Sequence, residues 1–227
     1  MRATWDALAG GPTAVYVGDP ARATQELDDL FGRLGGDPPQ GLCVEVGCGP
    51  GRMTVELAGR FDRVVAVDVS PAMVERARAA VAASGRANVE LRAISGERLD
   101  GVGSGIAATL VCYLVLQHLP RRDVVIGLLA EFARVLRAGG EAFVQVPVLE
   151  PGLLPRAWRL ARSVALPLAA RASRGPEAGA AFRGFRLTER ELLDGVARAG
   201  LEVRARDEGP DAPYRYSRDL FLRLRRP

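Results

Sequence analysis

Lysine is absent from the sequence and histidine occurs once, which removes several kinds of catalytic site from consideration. All 31 basic residues in the chain of 227 are arginines. A phosphate-binding loop that depends on lysine, a Schiff base to pyridoxal phosphate and a lysine nucleophile are therefore excluded. The single histidine, His118, and the scattered cysteines Cys43, Cys48 and Cys112 do not have the ligand spacing of a zinc site, so we expect no metal.

Long apolar runs and a secretory leader are also lacking. No stretch reaches the roughly 18 apolar residues of a transmembrane helix, and Met1–Asp6 has neither the charged nor the apolar region of a signal peptide. Three cysteines, an odd number with two in predicted strands, suit a reducing compartment better than a disulfide framework. We therefore expect a cytoplasmic protein with no stable membrane insertion.

The net charge of the chain is small. The formal net charge is +4, and the arginines are spread along the chain and interleaved with acids. A basic block with interleaved aromatic residues, which would indicate nucleic-acid binding, is not found in the sequence. We therefore expect no nucleic-acid partner.

The sequence does contain a strand-like run followed by alternating glycines. The apolar run Leu42–Val46 predicts a buried strand, and Gly47, Gly49 and Gly51 predict a tight turn that leads into a helix. Glycine tolerates a positive φ and has no Cβ, so such a turn lets the backbone approach a ligand closely. The segment therefore predicts a binding site at the end of the first core strand.

A second apolar run places an acid next to this turn. Val64–Val67 predicts a neighbouring strand that ends at Asp68, and a carboxylate at that position typically binds the two hydroxyls of a ribose. The alternation of strands and helices from residue 42 onward predicts a parallel sheet. Strands are expected at 42–46, 64–68, 89–94, 109–114, 141–147, near 201–207 and at 217–225, and helices at 71–83, at about 121–137 before Gly139-Gly140, and from Thr188 to about Ala199.

The charged residues around the glycines distinguish between possible ligands. The dinucleotide fingerprint G-x-G-x-x-G needs glycine at position 52, where this chain has Arg52. Glu45 lies two residues before the first glycine. A carboxylate is not expected beside a negatively charged pyrophosphate, but it suits a ligand with a positively charged amino group. Both residues argue against the alternative of an NAD-dependent enzyme.

With E-x-G-x-G-x-G followed by Asp68, the chain resembles the class I methyltransferases that depend on S-adenosylmethionine (SAM). The resemblance covers residues 1–148 well and 182–225 more loosely. It implies an α/β fold with a Rossmann-like, seven-stranded, mostly parallel sheet, helices on both faces and an antiparallel last strand. It also implies one domain over 1–227, with a lid segment at 1–40 and a helical insertion at 149–186 that forms a wall of the substrate site.

SAM is the cofactor that the resemblance implies, with S-adenosylhomocysteine (SAH) as its product. The chain departs from the family after strand three, where Ile94-Ser95 replaces the frequent Gly-Asp pair. Ser95 or Glu97 could then take the place of the acid that lies near the adenine. The residues expected to bind the cofactor are Glu45, Gly47, Cys48, Gly49, Gly51, Asp68, Val69, Met73, Ser95, Gly96, Glu97 and Tyr113.

The segment after strand four, V-L-Q-H-L-P, resembles that of small-molecule methyltransferases. Its His118 is the candidate base, because an imidazole can take a proton from a hydroxyl or an amine, and Tyr113 is a second catalytic candidate. A packing role for His118 is the alternative. The side chains expected to contact the acceptor are Trp5, Tyr16, His118 and Trp158.

The expected reaction is methyl transfer to an oxygen or nitrogen atom of a small-molecule acceptor, catalysed by a monomer or homodimer. Frequent arginine and alanine, typical of GC-rich bacterial genomes, favour a step in natural-product biosynthesis. The alternative is a SAM-binding protein of the same fold that does not methylate. Such a protein would steer a cyclisation or a decarboxylation, or serve as an inactive partner subunit, and would not release SAH.

Overall fold

Eight strands form one mixed sheet in the part of the chain that the structure describes. The computed structural model describes residues 2–11, 19–161, 184–211 and 216–227, so Tyr16 lies outside the described residues. The strand order is β3-β2-β1-β4-β5-β8-β7, and the short β6 pairs with β5. The strands are β1 (Leu42–Val46), β2 (Arg63–Asp68), β3 (Val89–Ala93), β4 (Ala107–Cys112), β5 (Leu136–Leu149), β6 (Leu187–Thr188), β7 (Glu202–Asp211) and β8 (Ser217–Arg225).

The direction of the strands confirms the predicted fold class. β3, β2, β1, β4 and β5 pair in parallel, and the last strand, β8, runs antiparallel to both of its neighbours, β5 and β7. Strands β2 and β3 therefore lie on one side of β1, and β4 and β5 lie on the other side. This reversal of strand order creates a crevice at the carboxyl ends of β1 and β4, where α/β proteins bind ligands.

Helices cover both faces of the sheet because alternate residues of each strand face opposite ways. Val44 and Val46 of β1 belong to the core on one face, and Cys43 belongs to the core on the other. Helices α5 and α7 pack on the first face, and α2, α3 and α4 pack on the second. The helices are α1 (Arg2–Ala9), α2 (Ala23–Arg33), α3 (Arg52–Ala58), α4 (Pro71–Ala83), α5 (Arg122–Val135), α6 (153–161) and α7 (Glu189–Arg198).

Local capping signals explain why two helices begin where the sequence predicts. Ser70 Oγ accepts a hydrogen bond from the Met73 N–H at 3.1 Å and Pro71 follows it, which confirms the helix at 71–83. Thr188 and Glu191 form a capping box that starts α7. No helix in the described ranges has the length and apolar character needed to cross a bilayer.

The start of the fifth strand differs from the prediction. Helix α5 ends at Val135 and β5 begins at once, so Gly139 and Gly140 lie inside the strand instead of stopping a helix. A Cβ on Gly140 would lie 2.7 Å from the carbonyl oxygen of Ala107, so glycine is needed there for the close approach of β4. The short β6 was not expected either, and it bears directly on the site described below.

Candidate active site

A crevice of about 1010 Å³, including its open mouth, lies at the carboxyl ends of β1, β2 and β4. Small-molecule sites typically occupy roughly 300 to 1,000 Å³, so the space suits a cofactor together with part of an acceptor. Helix α1 and the 3₁₀ turn Leu116–His118 both contribute to its wall, through Trp5 and His118.

The glycine turn after β1 is required by close packing. Gly47 and Gly51 have φ values of 78° and 89°. A Cβ on Gly47 would come within 2.3 Å of Val115 Cγ2, and one on Gly51 within 2.9 Å of Ala77 Cα in α4. The N–H groups of Gly47 and Cys48 donate to the Val67 carbonyl at 2.7 and 3.0 Å, so they tie β1 to β2. The glycines are therefore required by packing within the protein, and these two N–H groups are already used there.

Asp68, at the end of β2, is held in a fixed orientation at the edge of the crevice. The Gly49 N–H donates to its Oδ2 and the Ser70 N–H to its Oδ1, both at 2.9 Å. Burial raises the pKa of this carboxyl, and these two N–H groups, with that of Val69, oppose the rise. Each oxygen keeps a further lone pair, so the carboxylate can accept two more hydrogen bonds.

Glu45 is a buried acid at the base of the crevice. Only 4% of the residue is exposed, and its Oε2 accepts a hydrogen bond from Thr54 Oγ1 at 2.6 Å. Burial raises the pKa of its carboxyl to about 7; Asp68 adds to the rise, and Arg52 and Thr54 oppose it. Within the described ranges no arginine pairs directly with this carboxylate, since Arg52 pairs with Glu26. The site therefore has an acid that a cationic ligand group would stabilise.

Helix α1 is fastened over the end of β2 by polar contacts. Arg2 donates from Nε to the Val69 carbonyl and from Nη2 to the Ile94 carbonyl, both at 3.0 Å. Asp6 accepts a hydrogen bond from Ser70 Oγ. Met73, which is buried and lines the crevice together with Val69, packs against the residues of α1. These contacts place the first helix of the chain beside the predicted adenosine site.

His118 and Trp5 contact each other in the wall of the crevice. Their ring centroids are 5.0 Å apart and the rings are nearly perpendicular, an edge-to-face contact. The backbone N–H of His118 donates to the Val115 carbonyl at 2.9 Å, and its Nε2 lies 3.1 Å from Gln117 Nε2. Tyr113 also lines the crevice, and burial raises the pKa of its phenol to about 12, so the phenol is protonated at neutral pH.

The backbone between Tyr113 and His118 is strained at one residue. Leu114 has a φ of 59°, a conformation that is uncommon for residues other than glycine. Its N–H donates to Oε1 of the buried Gln145 at 3.1 Å, and the Gln145 amide donates in turn to Asp219. A side chain from β5 therefore holds this loop in its unusual conformation.

The short β6 extends the sheet beyond the end of β4. At Val148 and Leu149, β8 already occupies one edge of β5, so β6 must take the edge that β4 uses lower down. Just before β6, the Phe185 N–H donates to the Leu119 carbonyl at 2.7 Å, and Arg186 Nη1 donates to the Gln117 carbonyl at 2.9 Å. The chain that returns from the insertion is thus bonded to the turn that carries His118.

Some predicted site residues lie in the crevice and others do not. Ser95 is exposed and its N–H donates to Asp100, while the exposed Glu97 pairs with Arg121 at 3.4 Å. Neither is among the lining residues, whereas their neighbours Ile94 and Gly96 are. The predicted residues that line the crevice are Trp5, Glu45, Gly47, Cys48, Gly49, Asp68, Val69, Met73, Gly96, Tyr113 and His118.

Three further predicted residues have other placements. Gly51 packs behind the turn against α4 and does not line the crevice. Trp158 of α6 lies edge-to-face with Tyr216, with centroids 5.9 Å apart, and is likewise not a lining residue. Tyr16 lies outside the described residues. Among the described residues, no group of three histidine, cysteine or acidic side chains is placed to hold a metal ion.

Arg52 and Leu114 are among the lining residues that had no predicted role. Arg52 appeared in the sequence only as a departure from the dinucleotide pattern, and Leu114 gave no signal, since a leucine does not predict a positive φ. The break in the glycine pattern at position 52 was therefore the one available clue to a polar side chain there.

Comparison with known proteins identifies the family. Residues 43–140 match a family described as "Methyltransferase domain". A trans-aconitate 2-methyltransferase of Methylobacterium radiotolerans is 31% identical over 86% of this chain and 71% of its own length. A ubiquinone biosynthesis O-methyltransferase of Xanthomonas axonopodis is 29% identical over 62% of this chain and 54% of its own length. Among solved structures, the [4+2]-cyclase SpnF has a TM-score of 0.66 and 16% identity, covering 99% of this chain and 92% of that one, which is a likeness of fold.

Proposed function

The chain belongs to the class I SAM-dependent methyltransferases, and on that premise we propose that it methylates an oxygen atom of a small organic acceptor. The observation that carries the proposal is the pair of buried acids, Glu45 and Asp68, in a crevice that His118 also lines. The names of the two relatives support a small acceptor, and the second supports oxygen as the methylated atom.

The residues at the base of the crevice fit SAM. Asp68 has two lone pairs left after its bonds to Gly49 and Ser70, which matches the two hydroxyls of a ribose. Glu45 would meet the ammonium group, and the apolar Val69 and Met73 would pack on the adenine. When bound, SAM supplies an activated methyl group, so the protein needs to position an acceptor and remove its proton.

The acceptor end of the crevice would supply that positioning and the base. His118 is held by its own backbone N–H bond to Val115 and by contact with the Trp5 ring. If the Gln117 amide donates to His118 Nε2, the ring proton lies on Nδ1, and Nε2 can accept the proton of an acceptor hydroxyl that replaces this amide. Tyr113, with its neutral phenol, would donate a hydrogen bond to the acceptor.

We also propose separate roles for the two segments that flank the crevice. Residues 1–40, through α1 and Trp5, would cover the cofactor, and residues 149–186 would form a wall of the acceptor site. The contact of Arg159 in α6 with Glu191 in α7, at 2.6 Å, supports the second assignment, because it ties the start of the insertion to the helix that follows its return. A role in natural-product biosynthesis is the further proposal that the arginine-rich composition favours.

The test begins with the cofactor. SAH binding would be measured by calorimetry for the wild type, for Asp68→Ala and for Asp62→Ala, which makes the same change at an exposed position outside the crevice. We expect micromolar binding by the wild type and Asp62→Ala, and its loss in Asp68→Ala. Equal binding by all three proteins would refute the assigned site.

The second step tests methyl transfer. Transfer of labelled methyl from SAM would be followed with a panel of small carboxylic acids and phenols that includes trans-aconitate, together with SAH release. Turnover with an oxygen acceptor supports the proposal. Tight SAM binding with no SAH release from any acceptor would favour a protein of this fold that does not methylate.

A further inference from the structure

The segment that follows β4, residues 113–119, forms part of the crevice wall and is here called the crevice loop. Its backbone is strained at Leu114, which has a φ of 59°. A strained conformation persists only where the surrounding structure enforces it. The loop therefore needs fixed supports outside the crevice. Its lining residues are Tyr113, Leu114, Val115, His118 and Leu119.

The first support acts at Leu114 and depends on an acid in β8. The Leu114 N–H donates to Oε1 of Gln145 at 3.1 Å, and the Gln145 amide nitrogen donates to Oδ1 of Asp219. Gln145 is only 1% exposed, so water does not supply another partner for this amide. If the amide rotated by half a turn, its nitrogen would face the Leu114 N–H and the hydrogen bond would be lost. Because a carboxylate can only accept, Asp219 fixes the orientation in which the oxygen faces the loop.

The second support acts at Gln117 and depends on a buried cation. Arg186, which is 2% exposed, donates from Nη1 to the Gln117 carbonyl at 2.9 Å. It directly precedes β6 on one edge of β5, and Asp219 lies opposite Pro147 on the other edge. Burial raises the pKa of the Asp219 carboxyl, and the Gln145 amide and the Arg186 charge oppose the rise. The acid that orients Gln145 thus also stabilises the buried guanidinium.

We propose that Asp219 is a positioning residue that holds the crevice loop at two points, one through Gln145 and the other through Arg186. Asp219 is half-buried and is not a lining residue, so it acts on the crevice through these two side chains. The loop carries His118, so the consequence for catalysis rests on the proposed function. The conformation of the loop in the protein without ligands does not depend on that function.

His118 can report on the loop because the chain contains no other histidine. Its ring is half-buried against Trp5, so its rate of modification by diethyl pyrocarbonate, followed by ultraviolet absorbance, measures how often the loop opens. Asp219→Leu removes both supports and should raise this rate about tenfold. Asp219→Asn keeps an oxygen for the Gln145 amide but loses the charge, so its rate should lie between those of Asp219→Leu and the wild type.

Two controls separate opening of the loop from general destabilisation. Asp207→Leu makes the same substitution on β7, at a carboxylate that pairs with Arg33 at 2.8 Å, and should keep the wild-type rate. Val81→Ala shortens a buried side chain of α4, which lowers the urea midpoint without reaching the loop. Below its own unfolding transition this variant should also keep the wild-type rate.

Several results would overturn the proposal. These are a wild-type rate in Asp219→Leu, or a rate in Val81→Ala that rises as much as in Asp219→Leu. Asp219→Asn tests each support by itself and also serves if Asp219→Leu does not fold. A rate as high as that of Asp219→Leu would exclude the amide contact as a support, and a wild-type rate would exclude the charge; either contradicts the arrangement at two points.

The effect on catalysis is a second, separate readout. Asp219→Leu should lower kcat about 10- to 100-fold through displacement of His118, while the Kd of SAH stays within about threefold of the wild-type value. A loss of SAH affinity equal to the loss of kcat would contradict a role in positioning the loop. If the wild type itself transfers no methyl group, the proposed function fails, and the modification rates of His118 still decide whether Asp219 holds the loop.

Discussion

Glu45 should make the unliganded protein less stable as the pH rises. Its pKa is raised from 4.5 to about 7, mainly because the side chain is buried. Between these values the folded chain keeps a proton on Glu45 that the unfolded chain has already lost. Folding therefore binds a proton in this range, and the free energy of unfolding falls with increasing pH until about pH 7, where the folded state also ionises.

The size of the effect follows from the two pKa values. Each pH unit is worth about 1.4 kcal/mol for one proton, so the range from 4.5 to about 7 amounts to about 3 kcal/mol. Glu45→Gln keeps the shape of the side chain and an oxygen that can accept the Thr54 hydroxyl, but it does not ionise. The variant should match the wild type near pH 4.5 and exceed it by about 3 kcal/mol at pH 8.5.

Urea unfolding at the two pH values measures this difference directly. The quantity of interest is the gain in stability of Glu45→Gln over the wild type at pH 8.5 minus the same gain at pH 4.5, so that other titrating groups cancel. Glu75→Gln, a change at an exposed position on α4, should show no such pH dependence. A difference below about 1 kcal/mol, or one of opposite sign, would refute the reasoning. A carboxylate that ionises while it is buried must lower the free energy of unfolding.

Three further results are expected. SAH binding to the wild type at pH 6 should release protons from Glu45, seen in calorimetry as a heat that depends on the buffer; equal heats in all buffers would contradict this. His118→Ala should lower turnover about 100-fold while leaving SAH affinity unchanged, and near wild-type turnover would reduce His118 to a packing role. Gln145→Leu removes the partner of the Leu114 N–H and should lower the urea midpoint by the equivalent of about 1 to 3 kcal/mol; an unchanged midpoint would count against this account of the loop.

The parts of the fold that were predictable depend on local signals. Ser70 and Pro71 set the start of α4 through a cap and a fixed φ, which are properties of adjacent residues. Gly139 and Gly140 were wrongly predicted to stop a helix. A pair of glycines can end a helix, but it can also lie within a strand where a neighbouring strand approaches closely. Only the contact of Gly140 with the Ala107 carbonyl, more than thirty positions away in sequence, decides between the two.

The placement of Glu45 and Asp68 in one crevice was predictable for a related reason. Glu45 and Asp68 follow directly from the ends of two strands, and the parallel pairing of β1 with β2 brings those ends together. Ser95 and Glu97 were expected only by resemblance, at a point where the chain departs from the family pattern. The structure turns the Ser95 N–H to Asp100 and pairs Glu97 with Arg121, contacts that no local pattern indicates.

The acceptor end is assembled from segments far apart in the chain, which is why the sequence says little about it. The turn at Leu116–His118 is contacted by Trp5 from the first helix and, through the carbonyls of Gln117 and Leu119, by the segment that precedes β6. That segment is also tied to α6, because Arg159 donates to the Arg186 carbonyl at 3.3 Å. A change in the insertion would therefore reach the turn that carries His118 through the hydrogen bonds of Arg159, Phe185 and Arg186, none of which involves Glu45 or Asp68. Helix α1 joins the two parts of the crevice, because Trp5 contacts His118 while Arg2 and Asp6 of the same helix bond to residues at the end of β2, so a change in α1 should affect both.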